Sequence, residues 1–148
     1  MNRSITRALT PGLLLVALLL SGCETAPQVS DRNISTINYE ELVRLIEKSK
    51  KPGELMLIDV RSVEDYRKGH IPGAINISLP LIRANDPRLA KAREIVVYAK
   101  DWRRPISAAA AKRMLALGYQ NVHDFRAGLE AWREAGRKVE MIPADRDD

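Results

Sequence analysis

The chain has 148 residues, of which 45% are hydrophobic and 29% are charged, a composition that fits one globular domain and excludes a disordered chain. The formal net charge is +5, but acidic and basic residues alternate, as in the segment EKSKKPGE. Such mixing is typical of a solvated surface, so we expect no nucleic-acid partner. The chain has one cysteine, Cys23, which excludes a disulfide within it.

The N-terminal segment has the pattern of a secretion signal. Arg3 and Arg7 precede an uninterrupted apolar run at residues 13–20, and small residues stand directly before Cys23. The run is far shorter than the roughly 20 residues that a membrane-spanning helix needs. The ending LSGC resembles the bacterial lipoprotein signal, in which the cysteine is lipidated on sulfur and becomes the new N-terminus.

This resemblance implies a signal peptide at residues 1–22 and a membrane anchor at Cys23 that carries fatty acyl chains such as palmitate. Glu24 follows the cysteine, which favours the periplasmic face of the outer membrane over the inner membrane. The alternative is an ordinary secretion signal in which the cysteine is incidental. Residues 23–36 are polar and predict a flexible tether, and the domain itself is expected at 37–138, followed by a polar tail at 139–148.

The first elements of the domain are marked by helix caps and one buried strand. Asn38, with Glu41 three residues later, predicts a helix that ends near Ser49. The run LMLID at 55–59 is apolar and ends on an acid, as buried strands of parallel sheets do. Ser62 predicts a second, short helix through Lys68. The first helix is expected to turn four residues inward: Tyr39, Leu42, Val43 and Ile46.

Strands and helices alternate through the rest of the chain. We predict strands at 74–78, 94–98 and 121–125, a partly helical segment around residues 80–89, a helix that Gly118 closes, and a last helix at 128–136. The long helix is expected to place Ile106, Ala109, Ala110, Met114 and Leu117 on one face, and the last helix to turn Leu129 and Trp132 inward. This alternation predicts a parallel sheet covered on both faces, with a ligand site at the carboxyl ends of its strands.

Two ordered segments resemble the rhodanese-like domain family. They are LIDVRSVEDYRKGHIPGAINISLP at 57–80 and ALGYQNVHDFRAGLEAW at 116–132. The resemblance implies a single α/β domain with a five-stranded parallel sheet and helices on both faces. In active members it also implies sulfur transfer through a cysteine persulfide, with loop N–H groups holding the sulfur as an anion.

The reactive cysteine of that family directly follows the strand that EIVVY matches, and this chain has Ala99 there. A methyl group cannot accept sulfur, so we expect no catalytic residue. The following loop is about two residues longer than in common members. It forms our candidate binding loop, whose amides and cations would receive an anion or an acidic partner: Ala99, Lys100, Asp101, Trp102, Arg103, Arg104 and Ser107. The alternative is an ordinary solvated loop.

Individual side chains near this loop have simpler interpretations. Asp101 is expected to cap the loop or pair with an arginine, and Ser107 to belong to the start of the helix rather than act as a nucleophile. Asp59 and Arg61 are expected to form a buried, charge-assisted pair. The turn GHIPGA includes His70 and Gly73, which we interpret as structural, and Gly128 is expected to serve a turn. His70 and His123 are isolated and predict neither a metal site nor a cofactor.

The sequence therefore predicts a lipid-anchored, periplasm-facing rhodanese-like module. It would lack sulfurtransferase activity and would bind a small anion or an envelope protein through the candidate binding loop. The alternative function is a sulfurtransferase-type enzyme of altered mechanism that depends on a partner's thiol. A purely structural role at the envelope is a third hypothesis.

Overall fold

A computed structural model describes residues 34–143, in which a parallel sheet forms the centre. Its strands are β1 (Ser35–Thr36), β2 (Leu55–Asp59), β3 (Ile75–Asn76), β4 (Glu94–Tyr98) and β5 (Val122–Phe125). They lie in the order β1-β5-β4-β2-β3, and each neighbouring pair is parallel. The predicted five-stranded parallel α/β fold is confirmed.

Four helices are present in the described residues, and two of them begin directly after the predicted cap residues Asn38 and Ser62. The four are α1 (Tyr39–Lys48), α2 (Val63–Arg67), α3 (Ile106–Ala116) and α4 (Gly128–Glu134), with short 3-10 turns at Leu79–Leu81 and Pro87–Leu89. The Asn38 side chain accepts a hydrogen bond from the Glu41 amide at 2.9 Å, and the Glu41 carboxylate accepts one from the Asn38 amide at 2.8 Å. This reciprocal capping box satisfies two amides that the first turn of α1 leaves unpaired.

Side chains of β4 alternate between two hydrophobic clusters, one on each face of the sheet. Ile95 and Val97 pack on the side of α3, together with Ala110, Ala111 and Met114. On the other side Val96 and Tyr98 pack with Leu42 of α1 and with Leu129 and Trp132 of α4. Both faces of the central strand are therefore covered, which explains why its sequence is continuously apolar.

The fifth strand lies where the sequence predicted only a tether. Ser35 and Thr36 pair with His123 and Asp124 of β5, and the Ile37 amide donates to the Asp124 carbonyl at 3.1 Å. The predicted end of the tether at residue 36 is therefore wrong. A two-residue edge strand is too short to show an apolar period of its own, so the sequence pattern could not identify it.

Two further expectations differ from the structure. The strand predicted at 74–78 is regular only at Ile75–Asn76, because its sole neighbour β2 ends at Asp59, opposite Asn76. In α3 the buried face comprises Ser107, Ala110, Ala111 and Met114, whereas Ala109 is exposed. Residues 108–111 are four consecutive alanines, which can lie on either the buried or the exposed side of a helix. The hydrophobic pattern therefore could not predict which of them are buried.

The first residues of the predicted C-terminal tail pack against the domain. Val139 packs against the cluster on the α1 and α4 side. Glu140 forms an antiparallel bridge with His70, and the Ile142 amide donates to the Arg67 carbonyl at 3.0 Å. The predicted boundary between domain and tail after residue 138 is therefore placed too early.

The predicted signal peptide, Cys23 and most of the tether lie outside the described residues. Within residues 34–143, no helix has the length and apolar character needed to cross a membrane.

Candidate functional site

The candidate site lies where β2 and β4 end side by side, with Asp59 opposite Tyr98. Ala99 directly follows β4, is 3% exposed and packs in the hydrophobic cluster on the α3 side. A cavity of about 780 Å³ opens at this edge of the sheet, the position at which parallel α/β sheets bind ligands. Its walls come from three segments: Val60, Arg61, Ser62 and Asp65; Ser78, Leu79 and Pro80; and Ala99, Lys100, Asp101, Arg103, Arg104 and Ile106.

The buried pair of Asp59 and Arg61 forms one side of this edge. Arg61 Nε donates to Asp59 Oδ1 at 2.9 Å, and a terminal nitrogen donates to Oδ2 at 2.6 Å and to the Gly69 carbonyl at 2.7 Å. The expected charge-assisted contact is present. It neutralises Arg61 and ties the end of β2 to the turn after α2, so this arginine supports the cavity wall rather than offering a free charge.

Buried Tyr98 is held beneath the same pair. Its hydroxyl accepts a hydrogen bond from the Ile71 amide at 3.0 Å. Burial raises the pKa of the Tyr98 phenol, and the Asp59 charge raises it further. The phenol therefore stays protonated and serves as a support, not as a base.

The loop after β4 is folded around its own carboxylate. Asp101 is 8% exposed, and its Oδ1 accepts a hydrogen bond from the Arg103 amide at 2.8 Å. The Arg103 guanidinium bridges Asp101 Oδ2 at 3.2 Å and Glu130 Oε2 of α4 at 3.1 Å. The hydrogen bond from the Arg103 amide lowers the pKa of Asp101, and the Arg103 charge adds to this effect. Both expected roles of Asp101, loop cap and arginine partner, are therefore present.

The start of α4 holds the same loop from the other side. The amides of Leu129 and Glu130 donate to the carbonyls of Ala99 and Lys100 at 3.0 and 2.9 Å. Gly128 has a φ of +67°, and a Cβ atom there would lie 2.5 Å from the Ala99 carbonyl oxygen. A glycine is therefore required both for the backbone conformation and for the close approach of the loop.

Two cationic side chains of the loop have no partner among the described residues. Both Lys100 and Arg104 line the cavity, and their exposed side chains make no hydrogen bond or ion pair with any residue in the described part of the chain. Arg61 and Arg103 are already paired, and the carboxylate of Asp65 also lines the cavity. The loop therefore gives this cavity an excess of positive charge.

The remaining members of the candidate binding loop lie away from the cavity. Trp102 is 67% exposed, and its ring centroid is 5.7 Å from the Arg103 guanidinium carbon. Ser107 is the second residue of α3, as its expected place at the helix start requires, but its buried Oγ has no hydrogen-bond partner in the structure. Neither side chain lines the cavity, so only part of the candidate binding loop contributes to the site.

The histidines and Gly73 lie outside the cavity. His70 is buried, stacks on Tyr66 with ring centroids 3.8 Å apart, and donates from Nδ1 to the Tyr66 carbonyl at 3.0 Å. Gly73 has a φ of +76°, as its turn requires. His123 is not isolated as the sequence suggested, because Ser35 and Glu94 lie 2.9 and 2.8 Å from its two ring nitrogens. Within residues 34–143, no cluster of His, Cys, Asp and Glu is placed to hold a metal ion.

Most residues of the cavity wall outside the candidate binding loop were not identified from the sequence. Ser62, Asp65, Ser78, Leu79 and Pro80 all line the cavity. They lie after β2 and β3, whose carboxyl ends are on the same edge of the sheet as that of β4. The order of the strands would therefore have indicated that these segments lie beside the loop. The two hydroxyls are engaged in the structure, since Ser62 caps α2 and Ser78 donates to the Arg61 carbonyl at 2.7 Å. Neither is paired with an imidazole, as an activated serine would be.

Comparison with known proteins adds a family match across most of the described chain. The family model of the rhodanese-like domain matches residues 38–135. The HTH-type transcriptional regulator Rv0324 of Mycobacterium tuberculosis is 35% identical over 104 residues, which cover 70% of this chain and 44% of that protein. A protein named sulfurtransferase from Allochromatium vinosum is 29% identical over 86 residues, covering 58% of this chain and 78% of its own.

The fold also has a close counterpart among solved structures. Protein BH2092 from Bacillus halodurans superposes with a TM-score of 0.65 at 28% identity, covering 77% of this chain and 82% of its own. The chain spans about half the length of relatives such as the mycobacterial regulator, of which 44% is matched. The similarity therefore concerns this domain and not the remainder of such proteins.

Proposed function

Because this chain belongs to the rhodanese-like domain family, which has sulfurtransferase members, we propose that it retains the family's fold as a binding module without sulfurtransferase activity. One observation carries this proposal: Ala99 lies at the end of β4 on the cavity wall, where the family's nucleophile is expected. No residue that lines the cavity has a thiol. A persulfide therefore has no atom on which to form.

The ligand of the module is a small oxyanion such as sulfate or phosphate, bound beside Ala99. The support is electrostatic: Lys100 and Arg104 are exposed cations without partners among the described residues, while Arg61 and Arg103 are already neutralised. An arginine offers planar, bidentate donors that match an oxyanion, and a lysine offers a compact charge.

The module is attached to the envelope through Cys23, with the domain facing the periplasm from the outer membrane. This part of the proposal rests on the sequence alone, on the order of basic residues, apolar run and LSGC ending, and on Glu24 after the cysteine. The short polar segment between Cys23 and β1 would keep the domain near the lipid surface.

The test of anion binding is a phosphate titration of the full chain in detergent, followed by NMR. We expect chemical shifts to change at Lys100, Arg104 and Ile106. Arg104→Ala should weaken binding several-fold, because it removes a bidentate donor. Arg44→Ala is the matched control, since Arg44 is exposed on α1 and does not line the cavity. No shifts around residues 99–107 on phosphate addition would refute the binding proposal.

The same preparation tests the absence of sulfur transfer. With thiosulfate as donor and cyanide as acceptor, we expect no turnover above a heat-denatured sample. Ala99→Cys should not restore efficient transfer, because the longer loop already directs its Arg103 amide to Asp101 rather than to a thiolate. Turnover that survives Cys23→Ser would instead support an enzyme of altered mechanism. If that turnover required an added protein with a thiol, the enzyme would depend on a partner's thiol.

A further inference from the structure

The cavity beside Ala99 is much larger than an inorganic oxyanion. Its volume is about 780 Å³, whereas one water molecule takes up about 30 Å³ in the liquid and a tetrahedral oxyanion is only a few times larger. Cavities of roughly 300–1,000 Å³ are typical of sites for organic ligands. A bound sulfate or phosphate would therefore leave most of this space to solvent.

The rest of the cavity wall has the chemistry of an organic ligand site. Five apolar residues contribute to it: Val60, Leu79, Pro80, Ala99 and Ile106. Most of them come from the segments after β2 and β3, whereas the unpaired cations come from the loop after β4. Three of the five apolar residues thus lie on segments other than the cationic loop, while Ala99 begins that loop and Ile106 follows it at the start of α3. The cavity therefore offers both an apolar and a cationic surface to one ligand.

Two exposed apolar side chains adjoin wall residues in the sequence. Val63 is 53% exposed and follows Ser62, and Leu81 is 63% exposed and follows Pro80. Both belong to the four large apolar side chains that are most exposed in the described part of the chain. Neither side chain lines the cavity, but exposed apolar groups of this kind are places where an apolar part of a ligand can be removed from water.

We infer that the ligand is an organic oxyanion, a phosphate or sulfate monoester with an apolar, ring-sized body. The anionic group contacts Lys100 and Arg104, and the body packs on Leu79, Pro80 and Ile106. This inference rests on the proposed anion-binding function and specifies its ligand class. A concave cavity favours a small molecule over a protein surface, which would need a broad contact area.

The experiment compares three probes on the full chain in detergent: inorganic phosphate, phenyl phosphate and phenol. NMR shifts of cavity residues report binding at the site and separate it from partition of the ring into detergent. We expect phenyl phosphate to bind at least about tenfold more tightly than inorganic phosphate, a difference of about 1.4 kcal/mol. Phenol should cause no saturable shifts, because it lacks the anionic group.

Two variants separate the parts of the site. Ile106→Ala should weaken phenyl phosphate more than inorganic phosphate, because it removes apolar surface on which the ring packs. Arg104→Ala should weaken both probes, and Arg44→Ala should weaken neither. Because Ile106 also packs against the core, thermal unfolding must show that its variant is folded; if it is not, the comparison of the three probes on the natural chain decides alone.

The outcomes distinguish this inference from the proposed function. Equal affinity for inorganic and phenyl phosphate, with shifts at Lys100 and Arg104, would overturn the organic ligand and leave the anion site in place. Saturable binding of phenol would overturn the requirement for an anionic group. Absence of shifts with every probe would overturn both proposals.

Discussion

Gly128→Ala should be among the most damaging single substitutions in this domain, although it adds only a methyl group. Gly128 begins α4 with a φ of +67°, and the added Cβ would lie 2.5 Å from the Ala99 carbonyl oxygen and 2.7 Å from that of Lys100. Both contacts are with backbone atoms, which cannot rotate away. The same two carbonyls accept the amides of Leu129 and Glu130, so relief of the clash would break these hydrogen bonds.

The expected cost follows from two separate effects. A left-handed conformation costs an L-residue with a side chain about 1–2 kcal/mol, and forcing extra volume into a packed site costs about 1–3 kcal/mol. Together they predict a loss of about 2–5 kcal/mol in the free energy of unfolding, measured by urea denaturation. Gly136→Ala is the matched control, because Gly136 has a φ of +71° and no atom within 4 Å of an added Cβ. It should lose only the conformational part.

Equal losses for the two variants would show that the approach of the loop to α4 is looser than the structure indicates, and the steric reasoning would be wrong. A second readout connects the clash to the site. Since Gly128 contacts the carbonyls at the cavity floor, any folded Gly128→Ala protein should also bind phosphate more weakly, whereas Gly136→Ala should bind it normally.

Two further predictions concern acid stability and the anchor. Hydrogen bonding by Arg88 lowers the pKa of Asp86 from 3.8 to about 2, so its contribution of at most about 2 kcal/mol is complete only above about pH 5 and is lost as pH falls towards 2. Urea unfolding of Asp86→Asn should therefore show lower stability at pH 7 and a flatter decline below about pH 5. Mature protein should begin at Cys23 with an S-linked diacylglycerol, and Cys23→Ser should abolish this lipid modification. Mass spectrometry that finds a free thiol or another first residue would refute the anchor.

Local patterns in the sequence were sufficient for most of the fold. The buried strands β2 and β4 are continuous apolar runs, and the helices α1 and α2 carry caps at Asn38 and Ser62 that the structure reproduces. These signals act over a few residues, so each could be recognised without knowledge of the tertiary contacts. The edge strands β1 and β3 each have two residues, so too few side chains were present to show a period.

The candidate site was only partly predictable, because its geometry depends on residues far apart in the sequence. Ala99 could be placed from the strand before it. The contact between Ala99 and Leu129, and that between Arg103 and Glu130, join the loop to α4 across almost thirty positions. No local pattern specifies such contacts, and they determine which of the loop cations are already neutralised.

The internal carboxylate of the loop takes up donors that would otherwise need an outside acceptor. In active family members, the resemblance implies, loop amides are directed at an anionic sulfur. Here the Arg103 amide is directed at Asp101, and the Arg103 side chain is held by Asp101 and Glu130. Asp101 thus supplies the acceptor for this amide from within the chain. The loop therefore does not depend on a bound anion for its shape, which leaves Lys100 and Arg104 available to select a ligand rather than to support the fold.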